Sequence, residues 1–479
     1  MRFWIDHHGC AKNQVDGEEI VARLEAEGHS WVDDPDGAEL IIVNTCGFID
    51  EAKKESLQAV LSLKAAHPRA KVLVAGCLAQ RYARDLATDL SEADGIVGNS
   101  DLGFILRAAE ETLAGERPVI VPEAAPSIGT PGRTRIFDYP GTAHVKITEG
   151  CSNRCSYCAI PLIRGSLRSR PVAEVLAECT ELLSRGIHEL VLIGQDLGSY
   201  GLDLRRRPSG ASASSPAAGR DEGRLLPELL AALSSLDGDF RVRVLYIHPD
   251  NFPEAILPIM AADGRLLPYF DLPFQHASRR ILAAMNRRGN ADVYLELLDR
   301  IRAALPDAAL RSTFLLGFPG ENDEDFAALR DFQEKARLDW LGSFAYSREE
   351  GTPAYSLRGS VPRKVVAERK RQVEEAQERI TRERLERFVG RELLVLVEEE
   401  VRTEPVAVDE ASRRSAAVVG SGGDRADEDK EELSLGRAWL QAPDVDGLTV
   451  LRGRCRPGEL VRSRVLAVNG VDLDAAILR

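Results

Sequence analysis

Through residues 1–120 the chain swings between short, β-branched apolar runs and longer stretches with a helical period. FWID, LIIVNT and KVLVAG are the runs, and GEEIVARLEAEG and DEAKKESLQAVLSLKAAH lie between them. Strand–helix alternation of this kind builds a parallel sheet flanked by helices. Over 121–140 the periodicity lapses, Pro and Gly accumulate, and a linker is expected. The rhythm resumes from about 141 to 362 with HVKIT, ELVLIG, RVLYI, YFDLPF, LRSTFLLGF and WLGSFAY, six strands that fit a complete or partial β/α barrel. A polar Ser/Ala/Gly/Arg insert at 203–223 interrupts it and reads as a disordered surface loop. KVVAERKRQVEEAQERITRERLERF then reads as a solvated connecting helix with i,i+4 charge pairs. The remainder has strand-like runs (ELLVLVEE, LTVLRGR, ELVRSRVLAV) without helical period, a small β-barrel broken by an acidic insert at 420–432. The expected organisation is α/β multidomain: 1–135 a parallel α/β sheet domain, 136–362 a β/α barrel, 363–389 a connecting helix, 390–479 a small β-barrel. No internal repeat is visible.

Composition narrows this only slightly. A 479-residue chain of 52.5 kDa exceeds one ordinary core. MRFWIDHHGC lacks the basic segment and apolar run of a secretory signal, and no stretch approaches the roughly 18 apolar residues of a membrane span. Eight cysteines at ligand-like positions, with no dense framework, suggest a reducing compartment, so the cytoplasm is expected, with no membrane partner. Net charge is −14, and residues 390–479 alone hold 18 acidic and 13 basic side chains. Nucleic-acid affinity comes largely from Lys and Arg on phosphates, so this balance favours a basic protein partner.

The chemistry concentrates in CSNRCSYC, which sets Cys151, Cys155 and Cys158 within eight residues, just after the strand HVKIT. Thiolates so spaced hold zinc or an iron–sulfur cluster. A structural zinc needs a fourth ligand, and the following AIPLIRG supplies none. Three thiolates on a four-iron cluster leave one iron open, at the barrel face where chemistry occurs. Cys10, Cys46 and Cys77 follow FWID, LIIVNT and KVLVAG, at strand ends along one parallel sheet. Spacing alone leaves two readings: three thiols meeting in the crevice at the sheet's carboxyl edge, or three unrelated buried cysteines.

CSNRCSYC resembles the signature of radical S-adenosylmethionine (SAM) enzymes, in which SAM chelates the unique iron and reductive cleavage yields a 5′-deoxyadenosyl radical. GCAKNQVDGE, VNTCGFIDEAKKES and AGCLAQRY resemble the N-terminal domain of the methylthiotransferases. EGCSNRCSYCAIPLIRGSLRSR, LIGQDLGSYG, DLPFQHASRRILAAMNRRG and LLGFPGE resemble their radical-SAM domain, and the last segment resembles their TRAM module. The resemblance implies two 4Fe-4S clusters: one on Cys151, Cys155 and Cys158, and an auxiliary one on Cys10, Cys46 and Cys77 that handles the inserted sulfur. It implies SAM as both methyl donor and radical source, contacted by Tyr157, by the turn Gly194, Gln195 and Asp196, and by Gly317. From sequence alone Tyr157 reads equally as an ordinary aromatic, and the Gly194 turn and Gly317 as strand-end turns. NTCGFIDEAKKES, QHASRRILAAMNRRG and GRAWLQAPDVDG resemble the branch that modifies an aspartate β-carbon in the small-subunit ribosomal protein S-twelve. The rival readings are a tRNA adenosine methylthiotransferase, a non-catalytic iron–sulfur carrier or redox sensor, and a zinc-stabilised binding protein. An electron donor and a sulfur donor are implied as partners, and a monomer is expected.

Attack at an unactivated carbon has no acid–base route at neutral pH, so no general acid or base is assigned. The family more often has a small or apolar residue where this chain has His7 and His8; the pair either crowds the auxiliary cluster or faces outward, and the second is expected. Cys179 reads as core, and Cys455 matches no cluster motif.

Overall fold

The computed structural model describes residues 1–125, 128, 132–204, 223–401 and 432–478. The inserts at 203–223 and 420–432 lie almost wholly outside these residues. The chain divides into two compact units: Met1–Asp138 with Thr142–Ile380, and Tyr139–Gly141 with Thr381–Arg479.

The first unit opens with the expected parallel sheet. Its strands are β1 (Arg2–His7), β2 (Ser30–Trp31), β3 (Leu40–Thr45), β4 (Lys71–Gly76), β5 (Gly95–Gly98) and β6 (Val119–Ile120). They lie in the order β2-β1-β3-β4-β5-β6, every pair parallel. β3 is buried along its whole length, which is why LIIVNT is continuously apolar up to its last two positions and does not alternate. Helices α1 (Ala11–Ala26), α2 (Asp50–Ala66), α3 (Cys77–Asp89) and α4 (Ile105–Ala114) make the connections.

The same unit contains six further parallel strands: β7 (Thr142–Lys146), then, beyond a small ribbon of β8 (Thr148–Glu149) and β9 (Arg168–Ser169), β10 (Glu189–Ile193), β11 (Arg241–Val244), β12 (Tyr269–Asp271), β13 (Ala309–Leu316) and β14 (Trp340–Ala345). They form two three-stranded sheets, β11-β10-β7 and β12-β13-β14, linked by a parallel bridge between Val242 and Leu266. This is a partial β/α barrel, and its interior merges with the helix faces into one large core built around Phe270, Phe274, Phe314 and Phe332. The helix Arg363–Leu385 follows, with the expected charge pairs Lys370–Glu374 and Arg371–Glu375 along its surface.

In the second unit β15 (Glu392–Val401), β16 (Leu433–Arg437), β17 (Thr449–Arg452), β18 (Leu460–Asn469) and β19 (Asp472–Ile477) close a barrel in the order β15-β16-β17-β19-β18. Arg437 is buried inside it and pairs with Glu398. Among the described residues no helix is long and apolar enough to cross a membrane.

Candidate active site at the mouth of the partial barrel

Strand order explains the first cysteine trio. β1, β3 and β4 are neighbours, and Cys10, Cys46 and Cys77 each follow one of them at its C-terminal edge. Neighbouring strands stand about 4.8 Å apart, so three residues distant in sequence reach one crevice. Gly9, at φ +97°, lets the backbone before Cys10 press against Cys46: a Cβ on Gly9 would lie 2.8 Å from Cys46 Cβ and 3.0 Å from its Sγ. Asn13 ties the loops together, its side-chain amide donating to the carbonyls of His8, Asn44 and Thr45.

Burial pushes the Cys46 thiol up to about 12 and raises Cys77 as well, although Arg164 opposes the latter. Cys10 is exposed; desolvation by the surrounding protein raises its pKa, but Lys12 and Arg164 reverse this and leave it below the ordinary value.

The second trio sits in a loop closed by the β8–β9 ribbon. At Gly150, with φ +71°, a Cβ would stand 2.2 Å from the Ser166 carbonyl oxygen, so only glycine passes the neck of this loop. Ser156 pins the middle of the loop: its N–H donates to Met285 O at 3.0 Å and its hydroxyl to Ala284 O at 2.7 Å. Burial lifts Cys151 to about 11 and Cys158 to about 12, and raises Cys155. Burial raises the core thiol of Cys179 in the same way, so the shift reflects enclosure, and it is the spacing and shared loop that mark Cys151, Cys155 and Cys158 as ligands. Among the described residues no three His, Cys, Asp or Glu side chains close on a single ion. A cubane spreads its thiolates over different irons, so a trio need not close on one ion to hold it.

Asp196 is the anchor of the second loop. It is buried and accepts from Asn153 (2.8 Å), Asn251 (2.7 Å), Ser199 (2.6 Å) and the backbone N–H groups of Gly198 and His248. Asn153 lies between Cys151 and Cys155, so Asp196 holds the cysteine loop directly. Gln195, beside it, has both amide atoms buried without a protein partner. Gly194 offers its carbonyl to Lys12. His248 accepts from Asp250 N at Nδ1, which leaves the proton on Nε2, 3.9 Å from Cys155 Sγ. Tyr157 accepts from Arg287 at 3.2 Å and lines a cavity of about 270 Å³. Phe48 and Ile49, just after Cys46, line the same cavity, as do Gln275, Thr313 and Tyr346. The Tyr346 hydroxyl is buried with no protein partner, and Gln275 is held at φ +69°, a conformation that costs a non-glycine residue about 1–3 kcal/mol. Gly317 follows the C-terminal end of β13. Its N–H donates to Glu321, and a Cβ would meet Val366 of the long helix at 2.4 Å.

Several residues that the sequence did not single out join the two trios. Cys158 is followed directly by Ala159 and the short helix Ile160–Ile163; Ala159 and Ile163 pack on Cys77. Arg164 caps that helix. It is 2% exposed and donates to Cys77 Sγ at 3.2 Å, Asp16 at 2.8 Å, Asn13 at 3.3 Å and Glu149 at 2.8 Å. Lys146 pairs with Asp16 and, at 3.0 Å, with Glu149. Asn99 adds a donor to Cys77 Sγ at 3.3 Å. A second tie runs from α2 and α3 to the end of the barrel, where Lys53 (3.0 Å) and Arg81 (2.6 Å) share Glu349. The arginine in AIPLIRG and the aspartate in GCAKNQVDGE stood inside quoted motifs, but nothing in the sequence pairs them.

The histidines do not simply face outward: the His8 side chain is 12% exposed. His8 bonds Asp6 at 2.9 Å and Glu55 at 3.3 Å, and the Asp6 bond raises its pKa. His7 does not face outward. Its ring lies over Gly17 of α1 and 4.6 Å from the Phe137 ring, with both nitrogens buried and unpartnered, and burial lowers it to about 4. Cys179 is core, as expected, and Cys455 is buried.

Family models match in chain order: an uncharacterised family, UPF0004, at 2–98; the Radical SAM superfamily at 145–332; and a TRAM domain at 425–478. Proteins named ribosomal protein uS12 methylthiotransferase RimO match over nearly the full length. The one from Treponema denticola is 44% identical, with 98% of this chain and 99% of the relative covered. The one from Moorella thermoacetica is 40% identical over 94% and 92%, and the one from Thermotoga maritima 35% over 96% and 96%. Among solved structures, the radical SAM methyltransferase TsrM from Kitasatospora setae superposes with a TM-score of 0.51 at 15% identity, covering 71% of this chain and 72% of that one. That likeness concerns the fold alone.

Proposed function

We propose a division of labour for this chain, which belongs to the ribosomal protein uS12 methylthiotransferase (RimO) family: one cysteine trio serves radical generation, the other sulfur delivery, and both face one aspartate. The chain is a radical-SAM methylthiotransferase with 4Fe-4S clusters and SAM as cofactors, and its substrate is ribosomal protein uS12. When bound, these cofactors supply a hydrogen-abstracting radical and the sulfur to be inserted.

Cys151, Cys155 and Cys158 are the residues suited to hold the SAM-binding cluster, and Cys10, Cys46 and Cys77 the auxiliary one. Asp196 orients the first loop through Asn153. Tyr157, Gln195 and the turn that carries it, and Gly317 at the end of β13 border the SAM site. The apolar cavity between Phe48 and Tyr157 keeps water from the reacting centre. The observation that carries this reading is the short bridge from Cys158 through Ile160–Ile163 to Arg164 on Cys77, which brings two thiol trios to one mouth.

The test is anaerobic. Reconstituted enzyme, SAM and reductant meet small ribosomal subunits in one tube and bulk tRNA in another, followed by mass spectrometry. One methylthio group mapped to an aspartate of uS12 is expected. Modification of tRNA adenosine instead overturns the substrate assignment.

A further inference from the structure

Lys12 is a buried ammonium without a carboxylate. It is 7% exposed; Nζ donates to the Gly194 carbonyl oxygen at 3.0 Å and stands 4.0 Å from the centroid of the Tyr246 ring. Among the described residues it forms no ion pair. Asp16, one turn along α1, is already taken by Lys146 and Arg164. A carbonyl dipole and a ring face carry only partial negative charge, and the nearby Cys10, whose thiol Lys12 helps to hold low, is committed to the auxiliary cluster; a buried cation left at that is costly unless a ligand completes it. The side chain also has a direction. It leaves α1 close to Cys10 and crosses to Gly194, at the end of β10, where the neighbouring Gln195 presents its unpartnered buried amide.

We propose that Lys12 is a specificity-determining residue whose ammonium receives the side-chain carboxylate of the target aspartate. This rests on the reading of an aspartate in uS12 as substrate. The carbon to be modified is one bond from that carboxylate. Gripping the carboxylate at Lys12 therefore sets the β-carbon between the loop of Cys151, Cys155 and Cys158 and the crevice of Cys10, Cys46 and Cys77. An asparagine keeps the same β-carbon hydrogens and nearly the same shape, but it leaves the ammonium unbalanced.

The experiment uses anaerobically reconstituted enzyme, wild type, Lys12→Met and Lys12→Arg, with two substrates: uS12 and uS12 carrying asparagine at the modified position. Methylthio addition is followed by mass spectrometry as kcat/KM. Iron content, the electron paramagnetic resonance spectrum of the auxiliary cluster and SAM affinity are measured alongside. Wild type is expected to prefer aspartate by about 10²-fold. Lys12→Met should bring that ratio close to one, mainly through KM on uS12, with iron content unchanged, and Lys12→Arg should keep a preference for aspartate. An unchanged ratio in Lys12→Met overturns the proposal. An unchanged ratio with an altered spectrum makes Lys12 a counter-charge to the cluster, and one with weakened SAM binding makes it a partner of the SAM carboxylate; each overturns the proposal. Wild type that leaves uS12 unmodified refutes the substrate reading itself, and is recognised before any variant is compared.

Discussion

Gly17 and His7 form a lock that can be opened from either side. Alanine is normally the better residue inside a helix, by about 1 kcal/mol over glycine. At position 17 the added Cβ would lie 1.9 Å from His7 Cε1, 2.4 Å from Nδ1 and 3.1 Å from Nε2. The ring cannot simply step aside, because Phe137 stands 4.6 Å away. Forcing an extra carbon into packing of this kind costs about 1–3 kcal/mol in strain, which the helix gain only partly offsets. Gly17→Ala should therefore destabilise the first unit by about 1 kcal/mol when His7 is present. With His7→Ala the obstruction is gone, and the same change should instead stabilise by up to about 1 kcal/mol.

The assay is a double-mutant cycle on metal-free protein, read from urea midpoints. A coupling of about 2 kcal/mol is expected, well above the few tenths that independent sites show. Additive effects of the two changes would refute the reasoning. The cycle also has a functional reading, since α1 begins at Cys10 and carries Lys12, Asn13 and Asp16. Displacing it in Gly17→Ala should lower auxiliary iron while SAM cleavage persists.

Three other outcomes are expected. Arg164→Gln leaves Asp16 and Glu149 to Lys146 alone, a loss of about 3–5 kcal/mol for a broken buried ion pair; loss of the N–H donor on Cys77 should also shift the auxiliary cluster to a more negative potential, read by redox titration. His7 has a folded pKa of about 4 against 6.5 when unfolded, so the unfolded chain binds more protons between those values; the contribution is full above pH 6.5 and lost as pH falls to about 4, by about 3 kcal/mol, and His7→Phe should flatten that part of the stability profile. Cys155→Ala should abolish SAM cleavage, whereas Cys46→Ala should retain it and stop methylthiolation; methylthiolation by pure Cys46→Ala protein removes the auxiliary assignment.

What the sequence revealed, and what it hid, follows from the range of each interaction. Continuous apolar runs marked the strands, because parallel strands covered on both faces need no alternation. Cys10, Cys46 and Cys77 were legible as strand-end residues, but their convergence depends on β1, β3 and β4 being neighbours, which no local pattern encodes. Arg164 with Asp16 and Lys12 with Gly194 stayed hidden because each pair joins residues more than a hundred positions apart. His7 misled for a related reason: a histidine beside a cysteine reads as polar surface until Gly17 is seen to open a slot for its ring.

Those hidden contacts decide whether the two sulfur sites act on one substrate. Radical generation and sulfur delivery must reach one carbon within a fraction of an ångström, and small misplacements in such geometry cost large factors in rate. A linker between two independent domains would leave that distance to diffusion. Here the bridge is a single short helix, Ile160–Ile163, packed through Ala159 and Ile163 onto Cys77 and locked by Arg164 to α1. The ion network beside it is buried, so salt screens it little. Its carboxylates and cations are closely matched, and removing one partner destabilises more than the pair contributes. Such an arrangement tolerates little drift between the sheet that carries Cys10, Cys46 and Cys77 and the loop that carries Cys151, Cys155 and Cys158. Registration of the two sites is therefore written into the packing of the fold.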